Sequence, residues 1–232
     1  MTDNKRLQSI QELIEIMALL RSENGCQWDR QQTPESLKKH ILEESYELLE
    51  AIDKGIPAEI CDELGDLLLQ VVFQAQIFSE SGHFGIQEVA QSICSKLKRR
   101  HPHIYADASY EGHEKRWEDI KHKERSEKGQ SNSLSDRIPK TLPALKRATK
   151  TAKKGLSCKT LESISQMEEA IQEIKECLQS TSNQQSQLEE SLSQLLLNVC
   201  KLSAATGCDP EELLRKKTTK LISEIDSKND VY

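Results

Sequence analysis

Apolar residues recur at helical spacing along almost the whole chain, and the pattern predicts helices separated by short breaks. Leu7, Ile10, Leu13, Ile14, Met17 and Leu20 form a first stripe that ends near Gly25. A loop, GCQWDRQQ, leads to Thr33-Pro34, a helix cap followed by proline at the first helical position. The next helix carries Leu37, Ile41, Leu48, Leu49 and Ile52 on its predicted inner side and stops at Gly55. Pro57 opens another, with Ile60, Leu64, Leu67, Leu68, Val71, Val72, Ala75 and Phe78 expected to face inward, and Gly82 breaks it. A fourth holds Ile86, Val89, Ile93 and Leu97 and yields to Pro102, because the residue before proline resists helical geometry. Four helices with short connections predict a four-helix unit.

The stretch 101–113 reads as polar and irregular, followed by a helix from 113 to about 127 around Trp117. The segment 129–135, GQSNSLS, has linker composition. Beyond it lie a basic helix over 145–154 and three further helical patterns, roughly 161–179, 186–206 and 210–226, with 181–187 as a loop. The second half echoes the first: LEESYELLEAI is answered by MEEAIQEIKEC, and DELGDLLLQVVFQAQIFSESG by ESLSQLLLNVCKLSAATG.

Composition supports helices. Only 4% of residues are aromatic, and 9 Gly and 6 Pro leave few strand and turn signals. The net charge of -6 argues against a nucleic-acid polymer as partner, since backbone binding needs a basic surface. A single nucleotide, which brings its own metal, is compatible with it. No apolar run approaches the roughly 20 residues that span a bilayer, and the spaced N-terminal stripe is not a signal peptide. The seven cysteines (26, 61, 94, 158, 177, 200, 208) form no zinc pattern. They read as free thiols of a cytoplasmic protein, serving as small core hydrophobes.

Against this background the acids of the first half stand out. Glu43, Glu44 and Glu47 lie on one helix, Glu63 and Asp66 on the next. Residues three apart are about 60° apart around a helix, so Glu44 with Glu47, and Glu63 with Asp66, are same-face pairs. Gly55 and Pro57 allow the chain to turn back between them, and antiparallel packing would bring the pairs together. Four facing carboxylates repel unless a cation joins them, and a hard divalent ion such as Mg²⁺ accepts oxygen ligands. Either pair alone could be a solvated helix face, for the chain has 38 acidic residues. Two details favour a site. Glu63 and Asp66 adjoin Leu64, Leu67 and Leu68, at the expected edge of a buried face. Gly65 costs about 1 kcal/mol mid-helix, which close helix approach would offset.

LEESYE and DELGDLLLQVVF together resemble the MazG family of the all-α NTP pyrophosphatase superfamily, whose mark is EExxE followed by ExxD. GCQWDRQQT resembles the family's GCPWDxxQT, with Gln27 in place of proline; KLKRRHPHIYAD, WEDIKHKER and IPKTLPALKRATK extend the likeness over about residues 7–155. The resemblance implies an all-α fold of two four-helix repeats, a homodimer, and Mg²⁺ (or Mn²⁺) as cofactor. It implies hydrolysis of NTPs or dNTPs to monophosphate and pyrophosphate, in nucleotide-pool house-cleaning. It places Glu44, Glu47, Glu63 and Asp66 as metal ligands, with Glu43 a further ligand or orienting water. Lys96, Arg99 and Arg100 would face the phosphates, unless they only complement a helix C-terminus. Trp28 would stack on a base or serve as core packing.

The echo departs from the motif. Glu168 and Glu169 keep two acids, but Gln172 replaces the third, Ser191 and Gln194 stand against ExxD, and Ser223 and Glu224 follow Lys220 where a basic pair is expected. The expected layout is therefore an active repeat over 1–127, a linker and basic helix over 128–155, and a degenerate repeat over 156–232. A nucleotide-binding regulatory protein of the same fold is the alternative to the enzyme.

Overall fold

The structure is a computed structural model that describes residues 3–106, 113–127, 129, 131, 133–156, 160–180 and 184–229; Cys158 lies outside them. The described residues are helical and contain no strand, as the pattern predicted. They form two compact units, Met1–Trp117 and Glu118–Tyr232.

The first unit contains α1 (Asp3–Leu20), α2 (Gln27–Gln31), α3 (Lys38–Lys54), α4 (Pro57–Glu80), α5 (Ile86–Arg100) and α6 (Pro102–Tyr105), and α7 (His113–Glu127) spans the boundary. The helix α4 is its centre, packing against α1, α3 and α5. The core gathers Met17, Leu37, Val72, Phe73 and Ile77, with Leu13, Ile14, Leu20, Leu69 and Ile86 against it. It is therefore built around the C-terminal half of α4.

That position of the core corrects part of the predicted inner faces. Leu49, Ile52, Leu64, Leu68, Val71, Ile93 and Leu97 are exposed, Leu64 at 51%. They belong to α3, α4 and α5; Leu64 and Leu68 precede the core-forming half of α4, and Val71 lies beside the core residue Val72 but remains exposed. Gly65 is also not a point of close approach, since a Cβ there would meet nothing within 4 Å. The cysteines are likewise not core residues as a group. Among the described cysteines only Cys200 is buried, while Cys61, Cys94 and Cys208 are exposed.

Local signals account for most helix ends. Gly55 closes α3 in the left-handed conformation, φ 70°, and donates to the carbonyls of Ala51 and Ile52. Pro57 is the first residue of α4, where its missing N–H costs nothing. Thr33 does cap, accepting from the Ser36 N–H at 3.1 Å, but it caps a turn, and regular helix starts only at Lys38. Two short helices, α2 and α6, occupy stretches read as loops; each has too few residues for periodicity to register.

Arg21 fastens the loop before α3 to the end of α4. Its side chain is 7% exposed and pairs with Glu80 through Nη2 at 2.7 Å and Nε at 2.8 Å. The guanidinium also donates to the carbonyls of Asp29 and Gln32 and lies 5.5 Å from the Phe73 ring centre. This holds α2, and with it Trp28, against the bundle.

The second unit contains α8 (Leu134–Arg137), α9 (Ala144–Gly155), α10 (Thr160–Gln179), α11 (Gln185–Thr206) and α12 (Pro210–Asn229). Here α11 is central, packing against α9, α10 and α12. The order matches the first unit, where α4 receives α1, α3 and α5, and so is compatible with two repeats.

Candidate active site

The pair α3 and α4 carries the acids. The two-residue connection 55–56 reverses the chain, so Glu44 on α3 faces Glu63 and Asp66 on α4. Carboxylate oxygens of Glu44, Glu63 and Asp66 then lie within 4.8 Å of one another, the only such group of three or more potential metal ligands found among the described residues. Glu44 and Glu63 are half-buried and Asp66 is exposed. Glu47 adjoins the group, close enough for its charge to act on both Glu44 and Glu63.

Crowding shows in the titration. Burial first, then the charges of Asp66 and Glu47, push the Glu44 carboxyl above its ordinary value. Burial, Glu47 and Asp66 do the same to Glu63, opposed by Lys54. Glu44 and Glu63 therefore hold their protons more readily than free carboxyls do. The donors are all carboxylate oxygens, the chemistry that suits Mg²⁺ or Mn²⁺ rather than a soft metal. Two oxygens on opposite sides of Mg²⁺ at about 2.1 Å are about 4.2 Å apart. The observed span of at most 4.8 Å thus needs only small side-chain adjustment.

Glu43 is not one of the three, and its Oε2 lies 3.3 Å from His40 Nδ1. The His40 ring meets Trp28 edge-on, centroids 6.2 Å apart. Trp28 is 53% exposed, so core packing is not its role within this unit. Lys96, Arg99 and Arg100 occupy the final turns of α5, with Arg100 5.9 Å from the Trp117 ring centre. The cation whose field reaches Glu63 is instead Lys54, which bridges Glu50 at 3.2 Å and Glu59 at 3.4 Å. Neither Lys54 nor His40 was singled out from the sequence. The signals were present: His40 stands three before Glu43, and Lys54 four after Glu50.

The corresponding positions of the second unit hold a hydrogen-bonded network in which neutral side chains stand where the first unit has acids. Gln172 donates to Glu176 at 2.8 Å, Ser191 to Glu173 at 2.7 Å and Gln194 to Asn198 at 3.1 Å. The Lys201 ammonium joins Gln166 and the fully buried Asn198 at 3.1 and 3.0 Å. Amides and a lysine amine donate here where the first unit presents acceptors only.

An all-α scaffold that gathers carboxylates from two consecutive helices defines the class: a helical protein with an acidic site suited to a hard cation. The family model for the MazG nucleotide pyrophosphohydrolase domain matches residues 32–105, a span that includes both helices. The nucleoside triphosphate pyrophosphohydrolase/pyrophosphatase MazG of Thermotoga maritima is 42% identical over 217 residues, covering 91% of this chain and 82% of that protein. The nucleoside triphosphate pyrophosphohydrolase of Escherichia coli K12 is 40% identical over 225 residues, 92% of this chain and 84% of that one. A nucleoside triphosphate pyrophosphohydrolase of Mycolicibacterium smegmatis is 37% identical over 145 residues, 60% of this chain and 44% of that one. The chain belongs to the MazG family.

Proposed function

We propose that this chain is a magnesium-dependent enzyme that hydrolyses NTPs or dNTPs to the monophosphate and pyrophosphate. The observation that carries the reading is the convergence of Glu44, Glu63 and Asp66 within 4.8 Å, in a chain whose relatives are named for this activity. Glu44, Glu47, Glu63 and Asp66 would hold the ion. When bound, a divalent cation offsets the triphosphate's charge and lowers the pKa of a water that attacks phosphorus.

The remaining work belongs to side chains. Glu43, held by His40, orients the water and receives its proton. Lys96, Arg99 and Arg100 bind the phosphates and stabilise the departing pyrophosphate. Trp28 offers its exposed face to the base.

The second unit plays no part in turnover, because Gln172, Ser191 and Gln194 replace the acids such a site needs. A homodimer in the cytoplasm, serving nucleotide-pool house-cleaning, completes the proposal. The exposed apolar side chains of the first unit, among them Leu49, Leu64, Leu68 and Val71, support a second copy as the partner. The net charge of -6 argues against a nucleic-acid polymer, and no described helix is long and apolar enough to cross a membrane.

Pyrophosphate release measured with Mg²⁺ and then with EDTA tests this reading. Release that depends on the metal is expected; equal release in both conditions would refute the metal mechanism.

A further inference from the structure

The second unit contains a basic cavity. It measures about 350 Å³ and lies where α9, the end of α11 and the start of α12 meet. Leu142, Lys146, Thr149, Lys150 and Lys153 line it from one side. Their spacing of four, seven, eight and eleven residues is that of a single helical stripe. Across the cavity stand Ser203 and Asp209.

The charges do not cancel. Lys146 pairs with Asp209, and Lys146 is the largest influence holding the Asp209 carboxyl below its ordinary value. Among the described residues, Lys150 and Lys153 have no carboxylate within ion-pair distance. The helix that bears them, ALKRATKTAKKG, has five cations and no acid in a chain of net charge -6. Nearby Glu212 is already neutralised by Arg215 and Lys216, which hold it at about 2.

The first unit supplies a comparison. Its cavity, about 260 Å³, likewise lies among the helix that packs first on the central one, the end of the central helix, and the start of the next: α1, α4 and α5. There the lining is Ile14, Gln76, Ser79 and Glu88, with no lysine, and Glu88 is occupied by the Gly85 N–H at 2.9 Å. A cavity therefore comes with this helix layout, but lysines in it do not. The basic lining is particular to the second unit.

We propose that this cavity is an anion site, separate from the carboxylate cluster, that takes a small phosphate-bearing molecule. Its volume falls within the range of small-ligand pockets. Lys150 and Lys153 supply the charge, while the hydroxyl of Ser203, which lines the cavity, can donate to a phosphate oxygen. The second unit, whose described residues gather no cluster of potential metal ligands, thereby acquires a ligand of its own.

Calorimetric titration of the full chain in EDTA tests this, with inorganic pyrophosphate and AMP as separate probes and sulfate as control. The wild type and Asp66→Ala are expected to bind a phosphate probe alike and more tightly than sulfate. The double variant Lys150→Ala/Lys153→Ala is expected to bind about tenfold more weakly, with circular dichroism showing its helices retained. The milder Lys153→Gln is expected to fall between the two. AMP binding above pyrophosphate would identify a nucleotide as the ligand; pyrophosphate alone would identify the inorganic anion. Absence of binding by both probes, or binding unaffected by the lysine changes, would overturn the proposal.

Discussion

Glu44 on α3 and Asp66 on α4 bring carboxylate oxygens within 4.8 Å although 22 positions separate them in sequence. The relationship has a cost. Like charges held this close disfavour the folded state unless a proton or cation intervenes. The same closeness makes the pair a chelating group. Function and stability therefore pull against each other at this point.

Neutralising one member should separate the two. In EDTA, Glu44→Gln is expected to be more stable than the wild type by about 0.2–0.5 kcal/mol for each like-charge neighbour relieved, kept small by solvent screening. Because its carboxyl is raised in the folded state, Glu44 favours folding at low pH, and that contribution is lost as pH rises through the raised value. The gain from Gln should thus be largest at neutral pH and above. Thermal melts across pH with EDTA measure it.

Divalent metal should reverse the order. Adding Mg²⁺ or Mn²⁺ is expected to raise the melting temperature of the wild type, since a ligand bound only by the folded state stabilises it. Asp66→Asn should abolish most of that rise. The same assay on Glu168→Gln, in the second unit, should leave the rise unchanged.

Arg21 and Glu80 make a structural prediction. Arg21→Ala removes charge-assisted hydrogen bonds and should destabilise the fold by about 2–3 kcal/mol in urea denaturation. Arg21 hydrogen bonds hold the Glu80 carboxyl below its ordinary value. Its contribution is present above the unfolded-state value and is lost as pH falls through the lowered folded one. Glu80→Gln should therefore narrow the stability gap between neutral and acidic solution.

Trp28 tests the nucleotide end of the site. Being half exposed, its replacement by Ala should change stability by under about 0.5 kcal/mol. If it stacks on the base, the KM for nucleoside triphosphates should rise several-fold while kcat changes little. Steady-state kinetics distinguish this from a structural role, which would lower stability and both parameters together.

The long helices and their order were legible because long amphipathic segments announce themselves, whereas the short α2, α6 and α8 were not. The α3–α4 turn was legible because Gly55 and Pro57 each have one physical reason to be there. The carboxylate convergence followed from those two facts and the three-residue spacing of the acids. The burial pattern was not legible. Leu64, Leu68 and Val71 have the periodicity of a covered face, and periodicity says that a face wants cover without saying what supplies it. Gly65 misled in the same way, since a glycine signals an unusual demand but not which one. Arg21 was missed because its partner, Glu80, is 59 residues away, beyond any local pattern. The basic cavity needed α9, α11 and α12 assembled before Lys150 and Lys153 could be placed on its wall.

The most direct test of the account is pyrophosphate release from a panel of NTPs and dNTPs with Mg²⁺, comparing the wild type with Asp66→Ala. Release by the wild type that disappears in the variant, with its fold intact, is the predicted result. Undiminished release by Asp66→Ala would contradict the assignment of the α3–α4 carboxylates as the catalytic centre.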